Sequence, residues 1–446
     1  MAVQTDLTKG VIWRQLVKYA VPLVLSNLLQ AMYGMVDTII AGQFIGPASI
    51  SAISNSTQIM TILNSVMIGV TTGGNILIGQ YFGAKDMKSC HEATVTLFSL
   101  GLLIGAGLAA VFFVLARTLL SLLGAPALEE ATAYLRICSI GLIFITGYNA
   151  CSAALRAVGN SRAPLICILI TSLLNVVLDY IFVAILDWGT AGTAWATIIA
   201  QAVSFLASMY FVLRSYDLFG LKLSQLYMKS DKLKKIIKLG VPVALQLSIA
   251  SISWLTVTYL INRYGTFVSA GSGVSNKIKD FCQLFISAMV NASTGMVAQC
   301  IGAGLYDRAR KVMYTAMRIT VGMAFVSIAI VHALAPQLVS IFTSEPETAA
   351  AAIKNLRIEI LGQVFYASFL IYHSLALGAG HTWFVLISSF ANCIPVRLVV
   401  SIILEHFFGI LGVYWACMIA PSASVPLGFI YERSNRWRRG KAIEKA

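Results

Sequence analysis

The sequence predicts an all-α integral membrane protein: twelve transmembrane helices in two pseudo-symmetric six-helix bundles. Three observations carry this expectation. Of 446 residues, 58% are hydrophobic and 11% charged, against about 25% charged in a soluble chain; mean hydropathy is +0.82. A soluble chain of this size could not hide so much apolar surface. The apolar residues form unbroken runs of about 20, the length of a membrane-crossing helix, not the ten-residue alternating segments of an outer-membrane barrel. Landmarks of the first half also recur in the second.

Taken in order, the expected spans are 19–42, 53–79, 93–116, 132–154, 164–186, 190–213, 238–261, 276–300, 316–341, 354–378, 383–405 and 410–431. The first twenty residues lack the short apolar core and small-residue cleavage site of a secretory signal, so the first run reads as a span. It carries Asp37 well inside its apolar part. A carboxylate at that depth costs on the order of 3 kcal/mol or more, so it faces a bundle interior or wet cavity and marks an ion or substrate path. Stepping back by threes and fours brings Tyr33, Gln30 and Ser26 onto the same face.

The second span carries hydroxyls and Gly69 on one side, which also suits ordinary helix packing. GQYFGAKD follows as a tight turn, and no GxxxxGK[ST] occurs in the chain, which argues against ATP-driven transport. Asn149 lies inside the fourth span, where an interhelical hydrogen bond is the plainer reading. The fifth span aligns Thr171, Asn175 and Asp179 at four-residue steps. Asp179 is the second deep acid of this half. Two such carboxylates require a shared proton, a cation or a hydrogen-bond network. Carboxylate, amide and hydroxyl oxygens suit H⁺ or Na⁺, and a hydroxyl of the sixth span, which carries Thr193 and Thr197 with Gln201 one turn on, would complete such a cluster.

The polar stretch 214–237 separates two similar halves. LVKYAVP (16–22) recurs as IIKLGVP (236–242), IGQYFGAKD (78–86) as VAQCIGAGLYD (297–307), and ALRAVGN (154–160) as LALGAG (375–380), each offset by about 220 residues. The expected organisation is an N-terminal bundle 1–213, a cytoplasmic linker 214–237, a C-terminal bundle 238–431 and a cytoplasmic tail 432–446. Six spans per repeat make the repeats parallel, and two such halves around a cavity suit alternating access. About 24 of the 32 Lys and Arg residues fall on one side when the N-terminus is cytoplasmic, which assigns both termini to the cytoplasm. This topology, rather than nucleic-acid binding, accounts for the net charge of +14.

The second half lacks the deep acids at matching positions. Its eighth span presents Asp280, Gln283 and Asn291 on one face, with Lys277 and Lys279 nearby; Asp280 either pairs with one of these lysines or has a functional role. Arg397, two residues after Pro395, is the one basic residue deep in an apolar span. It reads either as a cavity counter-ion or as a clamp on carbonyls freed by the proline. Gln30, Gln283, Asn291 and Arg397 are candidate cavity residues. The eight cysteines are scattered without metal-ligand or disulfide spacing. His373 is the one histidine clearly in mid-span and has no acid nearby in sequence, which argues against an intramembrane enzyme.

These residues together resemble a known family. AVP opens the first span, YGMVDTIIAG follows with its acid, and then come GQYFGAKD, LRAVGNSRAP, LLNVVLDY and a duplicated second half. The chain is similar, over about 15–430, to bacterial multidrug and toxic compound extrusion (MATE) transporters. The resemblance implies two six-helix bundles arranged as a V, located in the bacterial plasma membrane, and export of organic, often cationic, compounds in exchange for H⁺ or Na⁺. It also implies a monomer with small-molecule substrates, lipids around it and no cofactor. By position, it assigns the acid cluster of DinF-like members to Asp37, Asn175, Asp179 and Thr197, with Tyr33 and Asn149 in the same cavity and Pro22 as the bend of the first helix. NorM-like members carry acids in spans 7 and 10; QLSIASISWLTVTY and LGQVFYASFLIYHS have none, which moves the expected cation site to the N-terminal bundle. The alternative within transport is a flippase of lipid-linked precursors or other amphiphiles, which would need a larger cationic cavity.

Overall fold

The computed structural model describes residues 5–45, 47–122, 127–219, 221 and 226–439, without the side chains of 37, 38, 41, 42, 47–52, 54, 55, 58, 59, 61–63, 216 and 217. Among the described residues there are no strands. Twelve long helices follow one another: α1 Ile12–Phe44, α2 Pro47–Gly83, α3 Met87–Leu122 and α4 Leu128–Ala157; α5 Arg162–Ile185, α6 Gly189–Leu213, α7 Ser230–Asn262 and α8 Thr266–Gly302; and α9 Tyr306–Ser340, α10 Pro346–Gly378, α11 Thr382–Phe408 and α12 Ile410–Arg433. Eleven stretches among the described residues are long and apolar enough to cross a membrane. The helices outrun the predicted spans because the backbone ladder continues past the apolar run into residues that polar surroundings tolerate.

The chain forms two compact units. Unit 1 holds Met1–Asp6 and Val21–Ala244; unit 2 holds Leu7–Ala20 and Leu245–Ala446. The boundaries fall inside α1 and α7, beside Pro22 and Pro242. Each proline lacks the N–H that would bond the carbonyl four residues back, so each helix is weakened there. At the first of these points the Ser26 hydroxyl donates to the Pro22 carbonyl at 2.8 Å.

The repeat is written into the backbone as well as the sequence. Left-handed φ values recur in matched pairs: Lys85 (59°) with Gly304 (74°), Gly159 (81°) with Gly380 (81°), and Gly189 (56°) with Gly409 (58°). Each pair closes the same helix-to-helix turn in its half.

In unit 1, α4 is the enclosed helix, with 61% of its apolar stretch buried, against 28% for α5 and 33% for α3. In unit 2 the counterpart of α4, α10, is likewise 61% buried, and α8, the counterpart of α2, reaches 78%, against 22% for α9. Small residues along α8 (Gly271, Ser272, Ser275, Ala288, Ala292, Ser293, Gly295) let its neighbours approach closely, the usual route to packing where apolar surface alone gives no preference over lipid.

Both units fasten the segment that leads into a proline-bearing helix. In unit 1 the Lys229 N–H donates to Thr96 Oγ1 (3.2 Å), and Lys232 and Lys235 donate to the Tyr81 hydroxyl (3.2 and 3.3 Å). Asp86 caps α3 by accepting from the Ser89 N–H at 3.0 Å. Partial burial works to raise the Asp86 carboxyl, but the Ser89 bonds and the nearby Lys232 and Lys88 charges outweigh it and hold it below its usual range. In unit 2 the Leu7 N–H donates to Gln299 Oε1 (3.0 Å), and Arg308 donates to the carbonyls of Lys9 and Gly10 (2.8 and 3.0 Å).

Candidate functional site

Unit 1 encloses a cavity of about 440 Å³ between α1, α2, α4, α5 and α6. Gln30 and Tyr33 reach it from α1, Asn149 from α4, Thr171 from α5, and Thr197 and Gln201 from α6, with Tyr134, Met60 and Met67 supplying apolar wall. Helical steps of three and four make this possible, since Gln30 and Tyr33 share one face of α1, and Thr171 and Asn175 one face of α5. Of the residues predicted from sequence, Gln30, Tyr33, Asn149 and Thr197 line the cavity directly.

Asn175 and Asp179 continue the Thr171 face of α5, are not among the lining residues, and are both fully buried. The Asn175 amide donates to Thr197 Oγ1 at 3.4 Å, tying α5 to α6, while Asn175 Oδ1 finds no partner among the described residues. Immediately after Asp179 the helix widens into π turns over Tyr180–Ile185. Such turns often accompany functional sites because they redirect side chains and free carbonyls. The set offers carboxylate, amide and hydroxyl oxygens, the hard donors that suit a proton or Na⁺. The Asp37 side chain lies outside the described residues; its backbone belongs to α1, one turn beyond Tyr33.

Unit 2 has a second, smaller cavity, about 260 Å³, walled by α7, α8, α10, α11 and α12. Its chemistry differs. Lys279 forms a buried ion pair with Glu359. The Lys279 ammonium lies 4.5 Å from the Trp254 ring centroid, and the Arg397 guanidinium lies 4.8 Å from that same centroid. Arg397 stands on the π turns Asn392–Val400. Pro395 contributes to that widening, because it removes one backbone donor from the ladder. Arg397 is 8% exposed; it reaches Cys393 Sγ at 3.9 Å, and its Nε has no partner among the described residues. Gln283 lines this cavity as well, whereas Asn291 is exposed and does not line it.

Sequence reasoning missed the partner of Lys279. It considered Asp280, which is exposed, and sought an acid in span 10 (354–378) only within the LGQVF stretch and beyond. That stretch begins two residues after Glu359. The signal was nonetheless available, because an acid in span 10 and a lysine in span 8 each need a counter-charge at that depth. His373 is buried between Phe369 and Phe384, and neither ring nitrogen finds a partner among the described residues. No cluster of three or more His, Cys, Asp or Glu able to hold a metal occurs among the described residues.

The comparisons with known proteins agree with this architecture. The chain is 28% identical over 436 residues to the probable multidrug resistance protein YoeA of Bacillus subtilis (strain 168), covering 95% of this chain and 94% of that protein. It is 24% identical to the multidrug export protein MepA of Staphylococcus saprophyticus, covering 92% and 91%. Among solved structures, the outward-facing conformation of a multidrug resistance MATE family transporter of the MOP superfamily superposes with a TM-score of 0.90 at 22% identity, over 96% of this chain and 97% of that one. The MatE family model matches twice, over residues 22–181 and 242–403, once on each half of the duplicated sequence. The chain belongs to the MatE family.

Proposed function

We propose that this protein is a secondary-active multidrug efflux antiporter, exporting organic, often cationic, compounds in exchange for H⁺ or Na⁺. The observation that carries the reading is the fully buried Asp179 on α5, one turn beyond the Asn175 that bonds Thr197 of the polar-lined cavity of unit 1. The multidrug resistance and export names of the full-length relatives support it. Asp37 joins this cluster as the second acid, in the DinF-like manner. The coupling ion binds at Asp37, Asn175, Asp179 and Thr197, and substrate occupies the space bordered by Gln30, Tyr33 and Asn149. Ion binding neutralises carboxylate charge and reshapes α1 around Pro22, where the ladder is already interrupted. Coupling follows because ion and substrate bind the two conformations with different affinities. The protein works as a monomer in the bacterial plasma membrane, with both termini cytoplasmic.

The test is efflux of ethidium and norfloxacin from purified protein in liposomes, under a pH gradient and a Na⁺ gradient imposed separately. Wild type should transport under at least one gradient, which names the ion, and Asp37→Asn should fall to the level of empty liposomes while remaining folded. Wild-type efflux in the Asn variant would overturn the mechanism. No transport by folded wild type under either gradient would favour movement of lipid-linked amphiphiles, measured next with a fluorescent-lipid scrambling assay.

A further inference from the structure

We propose that the cavity of unit 2 is a binding site for a small organic carboxylate, with Arg397 as its anchor and Trp254 as its wall. This goes beyond cation antiport through unit 1 and does not depend on it. The charged side chains lining the cavity are Lys279, Glu359 and Arg397, two cations and one anion. Lys279 and Glu359 satisfy each other, which leaves Arg397 as the uncompensated charge. Among the described residues no carboxylate lies within ion-pair distance of Arg397. A buried cation without a counter-charge is costly and persists where something else stabilises it.

The polar groups around Arg397 are also unspent. Gln363 is 2% exposed and Asn392 is 3% exposed. Both atoms of the Gln363 amide, Asn392 Oδ1 and Arg397 Nε lack partners among the described residues, and all three residues line the cavity. Native interiors rarely leave so many buried polar atoms unmade in one place. Together they offer guanidinium and amide donors for a planar anion, with amide carbonyls beside them for a neighbouring hydroxyl or amine. The planar guanidinium fork matches a carboxylate. Trp254, Tyr366 and Phe369 supply aromatic wall for the remainder of the ligand. The volume, about 260 Å³, falls below the usual range for drug-sized ligands and limits the guest to about one ring or a short chain.

The backbone is shaped for this role. α11 widens into π turns where it presents Asn392 and Arg397, and α10 tightens into a 3₁₀ turn over Ile360–Gly362, between Glu359 and Gln363. Gly362 lets that turn approach α12 closely, since a Cβ there would stand 2.7 Å from the Met418 carbonyl oxygen.

The experiment titrates full-length protein in nanodiscs with two matched pairs, benzoate against benzamide and 3-phenylpropionate against its amide, using ligand-observed NMR. Wild type should bind each carboxylate at least tenfold more tightly than its amide. Arg397→Gln should erase that preference, Arg397→Lys should keep part of it, and Gln363→Leu should weaken carboxylate binding several-fold. Equal binding of acid and amide by wild type, no binding of either, or an undiminished preference in folded Arg397→Gln would each overturn the proposal. Tighter binding of inorganic phosphate than of both carboxylates would overturn the assigned class. If Arg397→Gln fails to fold, Gln363→Leu decides: unchanged carboxylate affinity in that variant overturns the site.

Discussion

The two cavities occupy corresponding helices of a duplicated fold, yet they carry opposite chemistry. In unit 1 the fully buried Asp179 lies on α5 one turn beyond Asn175, whose amide donates to Thr197. In the unit 2 cavity the charged groups are the Lys279–Glu359 pair and Arg397, with both cations on the Trp254 ring. One scaffold feature is shared at the two sites: a helix that widens into π turns, over Tyr180–Ile185 in unit 1 and Asn392–Val400 in unit 2. Duplication therefore conserved the geometry while leaving the charge free to diverge. Function belongs to the side chains grafted on the repeat, not to the repeat itself.

The contrast can be broken most directly at Asp179. Asp179→Asn should reduce ion-driven efflux to background in the liposome assay, because the substitution keeps the shape but removes the ionisable oxygen. Efflux at wild-type level under either gradient would mean that unit 1 does not hold the coupling site.

A second measurement sharpens the charge difference. Glu359→Gln strands the Lys279 ammonium in the interior of unit 2 and should cost about 3–5 kcal/mol of stability. The double variant Lys279→Met, Glu359→Gln should recover most of the loss, since the buried charge goes with its partner. Thermal unfolding in nanodiscs reads both. A single variant as stable as wild type would mean that the pair is not a structural ion pair.

The third and smallest effect concerns α2 and α8, the corresponding second helices of the two halves. A Cβ at Gly73 would stand 2.6 Å from the Ile236 carbonyl oxygen, whereas one at Gly295 would meet the Tyr19 hydroxyl at 3.2 Å. Backbone cannot yield as a side-chain tip can. Gly73→Ala should therefore destabilise by about 1–3 kcal/mol, and Gly295→Ala by clearly less, compared as unfolding midpoints in the same lipid. Equal midpoints would show that unit 1 repacks as easily as unit 2.

Much of this was legible in the sequence. Composition and run length announced membrane helices, because the bilayer admits few alternatives. The repeated LVKYAVP and IIKLGVP segments announced the duplication. Asp179 was legible because a carboxylate in an apolar helix stands out against its surroundings, and the four-residue steps gave Asn175 and Thr171 as its neighbours on one face. The Lys279–Glu359 pair escaped because the two residues are 80 positions apart and each sits near a span end, where a charge can look like an interfacial anchor.

By itself, then, the sequence determined which segments are helices, where they repeat and which faces are polar. Those properties follow from local periodicity and from the cost of placing charge in hydrocarbon. The tertiary structure alone decided which polar faces meet. It brought Asn175 to Thr197, placed Lys279 against Glu359, and set two cations on one tryptophan ring. Such meetings depend on how helices rotate and shift against one another. That rotation is fixed by packing among small residues, and no spacing along a single helix encodes it.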